Sequence, residues 1–162
     1  SRHLLLQMVF FHIAFVVTRH ADVASLCHAQ NVPVILHDKA FRNDTIRLGL
    51  DEVTRNGDIS GCLFCPGDQP LLSRETIINI IDAFLAETKK IIRPAFQNTP
   101  SAPVLFPSWA FSEPFSLPEG KGGGFVAKNI PNDTISTRSG EYELKDVDTQ
   151  KDLLILLNRF KY

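Results

Sequence analysis

The 162-residue chain lacks an excess of charge of either sign and has no long uninterrupted apolar run. Its 17 Lys and Arg residues nearly balance its 18 Asp and Glu residues, and the formal net charge is −1. This balance gives no electrostatic reason to expect a nucleic acid or an anionic membrane as a partner. No segment reaches the roughly 20 apolar residues that span a bilayer. Any phosphate binding is therefore expected at a local site.

Features of secreted proteins are also scarce. The most apolar region, residues 8–17, is interrupted by His12 and lacks the basic segment and cleavage site of a signal peptide. Three cysteines are an odd number, in a chain long enough to fold without disulfides. These observations predict a reduced, cytoplasmic protein.

Cys62 and Cys65 match a C-x-x-C pattern that could indicate a metal or redox site. Residues three apart on a strand point to opposite faces, so the two thiols cannot readily share a metal or form a disulfide. We predict that both are buried packing residues. The five histidines show no catalytic or metal-binding spacing, and we assign them no role.

The apolar pattern of the first half predicts alternating strands and helices. With 44% hydrophobic and 22% charged residues, the chain has the composition of one globular domain with a substantial core. Strands are predicted at residues 11–18, 32–36 and 61–65, with helices at residues 23–29, from Asp44 or Thr45 to residues 56–57, and from Ser73. Continuously apolar strands that alternate with amphipathic helices predict an α/β fold, with a parallel sheet covered on both faces.

The second half has a different texture. Residues 94–118 contain six prolines and few features of a helix, and a glycine-rich stretch follows at residues 120–124. We predict a strand at residues 142–147 and a closing helix at residues 149–160. At the other end, residues 4–9 resemble a helix that enters a strand without a turn. We therefore expect a first strand and glycine loop to be missing there, with residues 9–11 joining two segments across the gap.

Asp68 is the sharpest candidate for chemistry. It follows a predicted strand and a Pro-Gly turn, at the strand end where open α/β sheets bind ligands. A carboxylate held there is well placed to bind a magnesium ion on a polyphosphate. The alternative is a turn aspartate that caps the helix beginning near Ser73.

Asp146 and Asp148 form a second candidate pair. They alternate along a predicted strand end, so one of them can face the same edge as Asp68 and complete a divalent metal site. The alternative, compatible with the first reading, is a capping box in which Thr149 and Asp152 bond to each other's backbone.

The glycine-rich stretch at residues 120–124 could let backbone N–H groups and Lys121 approach a phosphate. It is not a Walker A loop, because the spacing and the preceding strand are wrong. A flexible linker is the alternative.

Together, five segments in order resemble motifs of the molybdenum-cofactor nucleotidyltransferases, over about residues 40–155. The sequence is most similar to the cytidylyltransferases that act on molybdopterin. The segments are residues 45–50 (Ser-x-Arg-x-Gly-Leu in the family), 66–72 (Gly-Asp-x-Pro), 101–106 (Gly-x-Pro-Val-Leu-Phe), 120–124 (Gly-Asp-x-Gly-Ala-like) and 146–152 (Asp-x-Asp-Thr-x-x-Asp). Residue 101 is Ser where the family has Gly, and the family's first glycine loop, which binds the triphosphate, has no counterpart.

The resemblance implies a three-layer α/β/α Rossmann-like nucleotidyltransferase fold with a mostly parallel sheet. It implies a single domain over residues 1–162, with a nucleotide-binding half at about 1–90 and an acceptor half at about 91–162. The implied reaction moves a nucleoside monophosphate, CMP from CTP, to molybdopterin and releases pyrophosphate. The implied partners are CTP or GTP, a molybdopterin-type acceptor, and a molybdoenzyme or its chaperone.

The resemblance also implies roles for individual residues, with Mg²⁺ as cofactor. Catalysis is implied for Asp68 and Asp148, and metal binding for these two and Asp146. The implied nucleotide-binding residues are Thr45, Arg47, Gly67 and Asp68, and the implied acceptor-binding residues are Gln69, Pro103, Lys121, Gly122 and Gly123. Three alternatives stay open: a sister enzyme using GTP or building another cofactor, a sugar-phosphate nucleotidyltransferase, and a non-catalytic nucleotide-binding relative.

Overall fold

The computed structural model describes residues 13–55 and 57–159. The helix predicted at residues 4–9, the junction at residues 9–11 and the ends of three predicted elements, at residues 11–12, 56 and 160, lie outside the described residues. Within the described ranges, every helix is too short or too polar to span a bilayer.

A small parallel sheet begins the described chain. Strand β1 (Val16–Thr18) leads into helix α1 (Ala21–Ala29) and then strand β2 (Val34–Leu36). The two strands pair in parallel, with Val17 opposite Ile35. Both strands and the helix were predicted from the sequence, and each strand is shorter than its apolar run.

Helix α2 (Arg42–Arg55) begins earlier than predicted. Neither Asp44 nor Thr45 is its cap, because both lie inside the first turn. Asp44 instead reaches back and accepts a 3.4 Å hydrogen bond from the backbone N–H of Phe41, which precedes the helix. Strand β3 (Gly61–Phe64) and helix α3 (Arg74–Ala86) follow. The Ser73 side chain accepts from the N–H of Thr76 at 3.0 Å, which confirms the predicted start of α3.

The second half completes a five-stranded mixed sheet. Its elements are strands β4 (Ile91–Phe96), β5 (Thr99–Pro100) and β6 (Val104–Pro107), helices α4 (Ser112–Phe115) and α5 (Gly123–Asn129), strand β7 (Thr134–Arg138) and helix α6 (Gln150–Arg159). β6 runs antiparallel between β3 and β4, β5 forms an antiparallel hairpin with β4, and β7 pairs with β4 in parallel. The predicted α/β class is confirmed, and β6 supplies an antiparallel component.

Two elements of this half differ from the prediction. The strand predicted at residues 142–147 is wrong, because residues 141–144 form turns and no ladder includes them. The physical reason is that Glu143 in this segment bonds to the start of α3 through its side chain. β4 pairs instead with β7, which was not predicted as a strand because most of its residues are polar.

The sheet separates two hydrophobic layers, which confirms the three-layer arrangement. On β6, Val104 and Phe106 face one layer and Leu105 faces the other, as the two-residue period of a strand requires. The first layer includes Leu50 of α2 and Val126 of α5. The second layer packs α3 against the sheet, and its buried residues are Ile80, Phe84, Ile92 and Leu105.

Candidate active site

A cavity of about 880 Å³ is lined by residues of both β1 and β3. Val17 lies on one wall, and β3 with the loop to Asp68 forms another. The start of α2 contributes Thr45, and the segment before α5 contributes Gly122. The cavity therefore touches residues of both the first and the second half of the chain.

Asp68 lies on the wall of this cavity, directly after β3 and its Pro66-Gly67 turn. Its Oδ1 atom is buried and has no hydrogen-bond partner among the described residues. A buried carboxylate oxygen without a donor is unfavourable by a few kcal/mol. Such an atom at a cavity wall is typical of a group that meets its partner only when a ligand binds.

The two acidic segments predicted from the sequence come together. The backbone N–H of Val147 donates to the carbonyl oxygen of Asp68 at 2.8 Å. Beside it, Nε2 of the buried Gln69 donates to Asp146 Oδ1 at 2.9 Å and to the carbonyl oxygen of Leu144 at 3.3 Å. Gln69 thus connects the two loops and does not line the cavity.

Asp146 and Asp148 are exposed, and neither lines the cavity. No group of three or more His, Cys, Asp or Glu side chains among the described residues is arranged to hold a metal ion. Magnesium, however, commonly uses one or two carboxylates and takes its other ligands from substrate phosphates and water. Asp68, with Asp146 or Asp148 on the adjoining loop, fits a donor set of that kind.

The predicted capping box is present at the end of this loop. Asp152 Oδ2 accepts from the Thr149 N–H at 2.9 Å and from its hydroxyl at 2.6 Å. The Thr149 hydroxyl oxygen in turn accepts from the Asp152 N–H at 3.2 Å. The hydrogen bond from the Thr149 hydroxyl holds the pKa of Asp152 below its usual value. The carboxylates of Asp146 and Asp148 take no part in this cap, although Oδ1 of Asp146 accepts from Gln69.

Glu143 fastens the acidic loop to the start of α3. Its Oε2 accepts from the Ser73 hydroxyl at 2.7 Å, from the Ser73 N–H at 3.3 Å and from the Thr76 hydroxyl. Its Oε1 accepts from the N–H of Gly140 at 3.3 Å. Burial alone would raise the pKa of Glu143, but these hydrogen bonds outweigh it and hold the pKa below its usual value.

Of the predicted nucleotide-binding residues, Thr45 and Gly67 line the cavity and Arg47 does not. Arg47 donates to the carbonyl oxygen of Leu117 at 3.1 Å. Thr45 Oγ1 lies 3.0 Å from His37 Nε2, and His37 Nδ1 accepts from the N–H of Lys39. A neutral His37 ring therefore carries its proton on Nε2 and donates it to Thr45. Sequence reasoning gave His37 no role, because its contact with Thr45 exists only after folding.

Of the predicted acceptor-binding residues, Gly122 and Gly123 line the cavity, whereas Pro103 and Lys121 do not. Pro103 is fully buried, and the exposed Lys121 places its Nζ 5.6 Å from the centre of the Phe125 ring. Gly123 begins α5, so the linker alternative is wrong for the end of the glycine-rich stretch. A Cβ on Gly123 would lie 3.1 Å from the Phe106 ring, which explains glycine at this point.

Arg93 is a cavity residue that sequence reasoning missed. It stands in the middle of β4, where only 8% of its surface is exposed. Burial lowers the pKa of its guanidinium from the usual value, although arginine stays protonated in proteins. A single charged residue within the otherwise apolar run of residues 91–96 was the observation that could have revealed it.

The two cysteines of the C-x-x-C pattern have different surroundings. Cys62 is half-buried on β3 against the layer that contains Phe64, and burial raises its pKa to about 12. Cys65 is exposed as a whole residue, which differs from the prediction that both are buried, but burial of its thiol raises the pKa of that group to about 12 as well. The reason for the exposure of the residue is that β3 ends at Phe64. Both thiols are free, as is that of Cys27.

Comparisons with known proteins agree with this architecture. The family of MobA-like NTP transferase domains matches residues 4–132. No curated protein matches the chain. A nucleotidyl transferase from Methanothermobacter superposes with a TM-score of 0.75 at 17% identity, over 98% of this chain and 77% of that one.

Two further solved structures are similar in fold. A cytidylyltransferase from Leptospira borgpetersenii has a TM-score of 0.65 at 17% identity, over 91% of this chain and 68% of its own. Molybdopterin-guanine dinucleotide biosynthesis protein A from Archaeoglobus fulgidus has a TM-score of 0.56 at 13% identity, over 90% of this chain and 79% of its own. The chain belongs to the family of MobA-like NTP transferase domains, and it is a nucleotidyltransferase by that membership.

Proposed function

We propose that the protein transfers a cytidylyl group from CTP to the terminal phosphate of a molybdopterin-type acceptor and releases pyrophosphate. The observation that carries this proposal is the buried, unpartnered oxygen of Asp68 on the wall of a cavity that both halves of the chain line. Family membership supplies the reaction class. The choice of acceptor and nucleotide rests on the five motif segments of the sequence.

In the proposed reaction, an oxygen of the acceptor's terminal phosphate forms a bond to the α-phosphorus of the nucleotide. The bond between the α-phosphorus and the bridging oxygen breaks, and its electron pair leaves with pyrophosphate. No covalent enzyme intermediate is needed. The protein contributes by holding the two phosphates in line and by stabilising charge on the phosphoryl oxygens.

Magnesium is the cofactor proposed for this site. Asp68 and either Asp146 or Asp148 would hold the ion, with the remaining ligands supplied by substrate phosphates and water. Bound there, it neutralises charge that builds on the phosphoryl oxygens. The hydrogen bond from Val147 to Asp68 supports this assignment, since it ties the two acidic loops to each other.

Thr45 is the proposed contact to the nucleotide. Its hydroxyl oxygen accepts from His37, so its own O–H proton stays available for a ligand in the cavity. Arg47 is proposed only as a support, because its hydrogen bond to Leu117 keeps it outside the cavity lining. Gly67 lets the turn before Asp68 run close to the ligand.

Guanylyl transfer to the same acceptor is the second candidate. It is favoured by the similarity of fold to a protein whose name specifies a molybdopterin-guanine dinucleotide. The similarity to a cytidylyltransferase favours CTP. Both candidates use the same residues for metal and phosphate, and they differ only in the base that is recognised.

A direct transfer assay tests the proposal. Purified protein is incubated with Mg²⁺, molybdopterin and either CTP or GTP labelled at the α-phosphate. The labelled acceptor and the released, unlabelled pyrophosphate are then quantified separately. We expect both products in equal amounts, with CTP preferred. Transfer from GTP alone would assign the guanylyl reaction. Binding of nucleotide without any transfer to molybdopterin would overturn the proposed acceptor.

A further inference from the structure

Arg93 is a buried cation in the centre of the five-stranded sheet. Its neighbours on β4, Ile91, Ile92 and Pro94, are fully buried. Alternation along the strand puts Arg93 on the same face as Ile91, toward the layer formed by α2 and α5. A charged side chain is rarely found at such a position unless an opposite charge pairs with it.

No carboxylate of the described residues pairs with Arg93. The ion pairs among the described residues use the carboxylates of Asp44, Glu52 and Asp133, each with a cation other than Arg93. Arg93 Nε donates to the carbonyl oxygen of Ser101 at 3.2 Å, and Nη1 donates at 3.5 Å to that of Gly124. These two neutral acceptors orient the guanidinium but leave its charge uncompensated, and three of its five N–H donors are not used by them.

The unpaired guanidinium lines the same cavity as Asp68. Near it the wall includes Ser101 and the glycines before and within α5, together with the side chains of Val104, Phe125 and a second arginine, Arg42. A Cβ on Gly124 would lie 3.6 Å from Arg93 Nη2. The absence of a side chain on Gly124 thus keeps the guanidinium open beside a cavity that a group carrying several oxygens can enter.

We propose that Arg93 binds a phosphate group of the acceptor substrate, so that this cavity has a built anion subsite separate from the carboxylates that bind the nucleotide. A guanidinium matches phosphate oxygens with two parallel hydrogen bonds, and burial strengthens both. We assign the subsite to the acceptor because its supports, Ser101 and Gly124, lie in the half predicted to bind the acceptor, whereas Thr45 and Asp68 lie in the half predicted to bind the nucleotide. This assignment rests on the proposed function for the identity of the acceptor, but anion binding itself does not.

The test measures binding of inorganic phosphate by isothermal titration, with and without saturating CTP and Mg²⁺. Arg93→Met removes the charge and keeps the length of the side chain. Arg138→Met is the matched control, since Arg138 is an exposed arginine on the neighbouring strand β7. We expect about tenfold or greater loss of phosphate affinity for Arg93→Met alone, with CTP affinity changed less than about twofold.

The melting temperature separates binding from a structural role. If Arg93 serves a ligand, Arg93→Met melts no lower than the parent, because an uncompensated buried charge has been removed. Arg93→Lys keeps the charge without the fork, so phosphate affinity is expected to fall between those of the parent and the Met variant. That variant keeps the test valid if the Met variant does not fold.

Three outcomes would overturn the assignment. They are unchanged phosphate affinity in both Arg93 variants, equal loss of phosphate and CTP binding, and displacement of phosphate by CTP. A protein that binds phosphate through Arg93 but transfers no nucleotide would contradict the proposed function and leave the anion subsite standing.

Discussion

The backbone N–H of Val147 donates a 2.8 Å hydrogen bond to the carbonyl oxygen of Asp68. This bond joins a loop from the middle of the chain to the loop that precedes α6. Because it is a main-chain bond, it fixes the positions of both loops independently of their side chains. The junction therefore holds the loop that carries Asp146 and Asp148 beside Asp68.

Replacing Asp68 by Asn should reduce turnover by about 100-fold or more, since the neutral amide keeps the shape but loses the charge that binds a metal ion. Stability should not fall, because the parent carboxylate has a buried oxygen without a partner. Steady-state kinetics and thermal unfolding measure the two effects. Asp82→Asn, an exposed change on α3, is the control. Turnover within threefold of the parent would exclude Asp68 as a metal ligand.

Glu143→Gln should lower the free energy of unfolding at neutral pH by about 1–3 kcal/mol, because a carboxylate that accepts several hydrogen bonds becomes a neutral amide with one acceptor. The same change should raise the KM for Mg²⁺-nucleotide, since Glu143 holds the loop that carries Asp146. Chemical denaturation and kinetics check both effects. Glu141→Gln, at an exposed site two residues earlier, should change neither.

The effect of Glu143 should depend on pH in a defined direction. The pKa of this carboxylate is lower in the folded protein than its ordinary value, so its ionised form stabilises the fold. The stabilisation is complete above the ordinary pKa of about 4.3 and is lost as pH falls through the lowered folded value. The stability difference between parent and Glu143→Gln should thus be constant above about pH 5.5 and shrink in acid. A difference that grows in acid would contradict the assignment.

CTP should raise the melting temperature more than GTP, ATP or UTP when Mg²⁺ is present. A ligand at 100 times its Kd stabilises the folded state by about 2.7 kcal/mol, which a thermal-shift experiment resolves easily. The Asp68→Asn variant is the control and should show a reduced response to every nucleotide. A larger shift with GTP would assign the protein to guanylyl transfer.

Cys62→Ala should cost about 1–2 kcal/mol of stability through lost packing, whereas the matched Cys65→Ala should stay within about 0.5 kcal/mol of the parent. The difference follows from the half-buried position of Cys62 and the exposure of Cys65. Neither change should reduce turnover by more than about twofold. Stoichiometric zinc in the purified parent protein would show that the C-x-x-C pattern binds metal after all.

The helices were predictable because their apolar residues recur at helical spacing and their ends carry recognisable caps. Ser73 and the pair of Thr149 and Asp152 mark helix starts in the sequence and in the structure. The residue at which α2 begins was not predictable in the same way. Its first turn begins with Arg42 and Asn43, and the bond from Asp44 to Phe41 runs backward along the chain.

The failures concern residues whose role depends on distant partners. Residues 142–147 alternate like a strand, but the hydrogen bonds of Glu143 to Ser73 and Thr76 determine their path. Arg93 stood out only as one charge in an apolar run, and its significance comes from burial beside Ser101 and Gly124. The place of Asp68 after β3 was predictable, since a Pro-Gly turn that follows an apolar strand is local information.

The division into two sheets has a dynamic consequence. Among the described strands, β1 pairs only with β2, through three residues each, and no ladder joins this pair to β3. The amides of β1 and β2 should therefore exchange with solvent through a local opening that leaves the five-stranded sheet intact. A ligand that touches both Val17 and β3 would link the two sheets without adding any hydrogen bond between their strands. Occupancy of the cavity and protection of the smaller sheet would then be two measures of the same equilibrium.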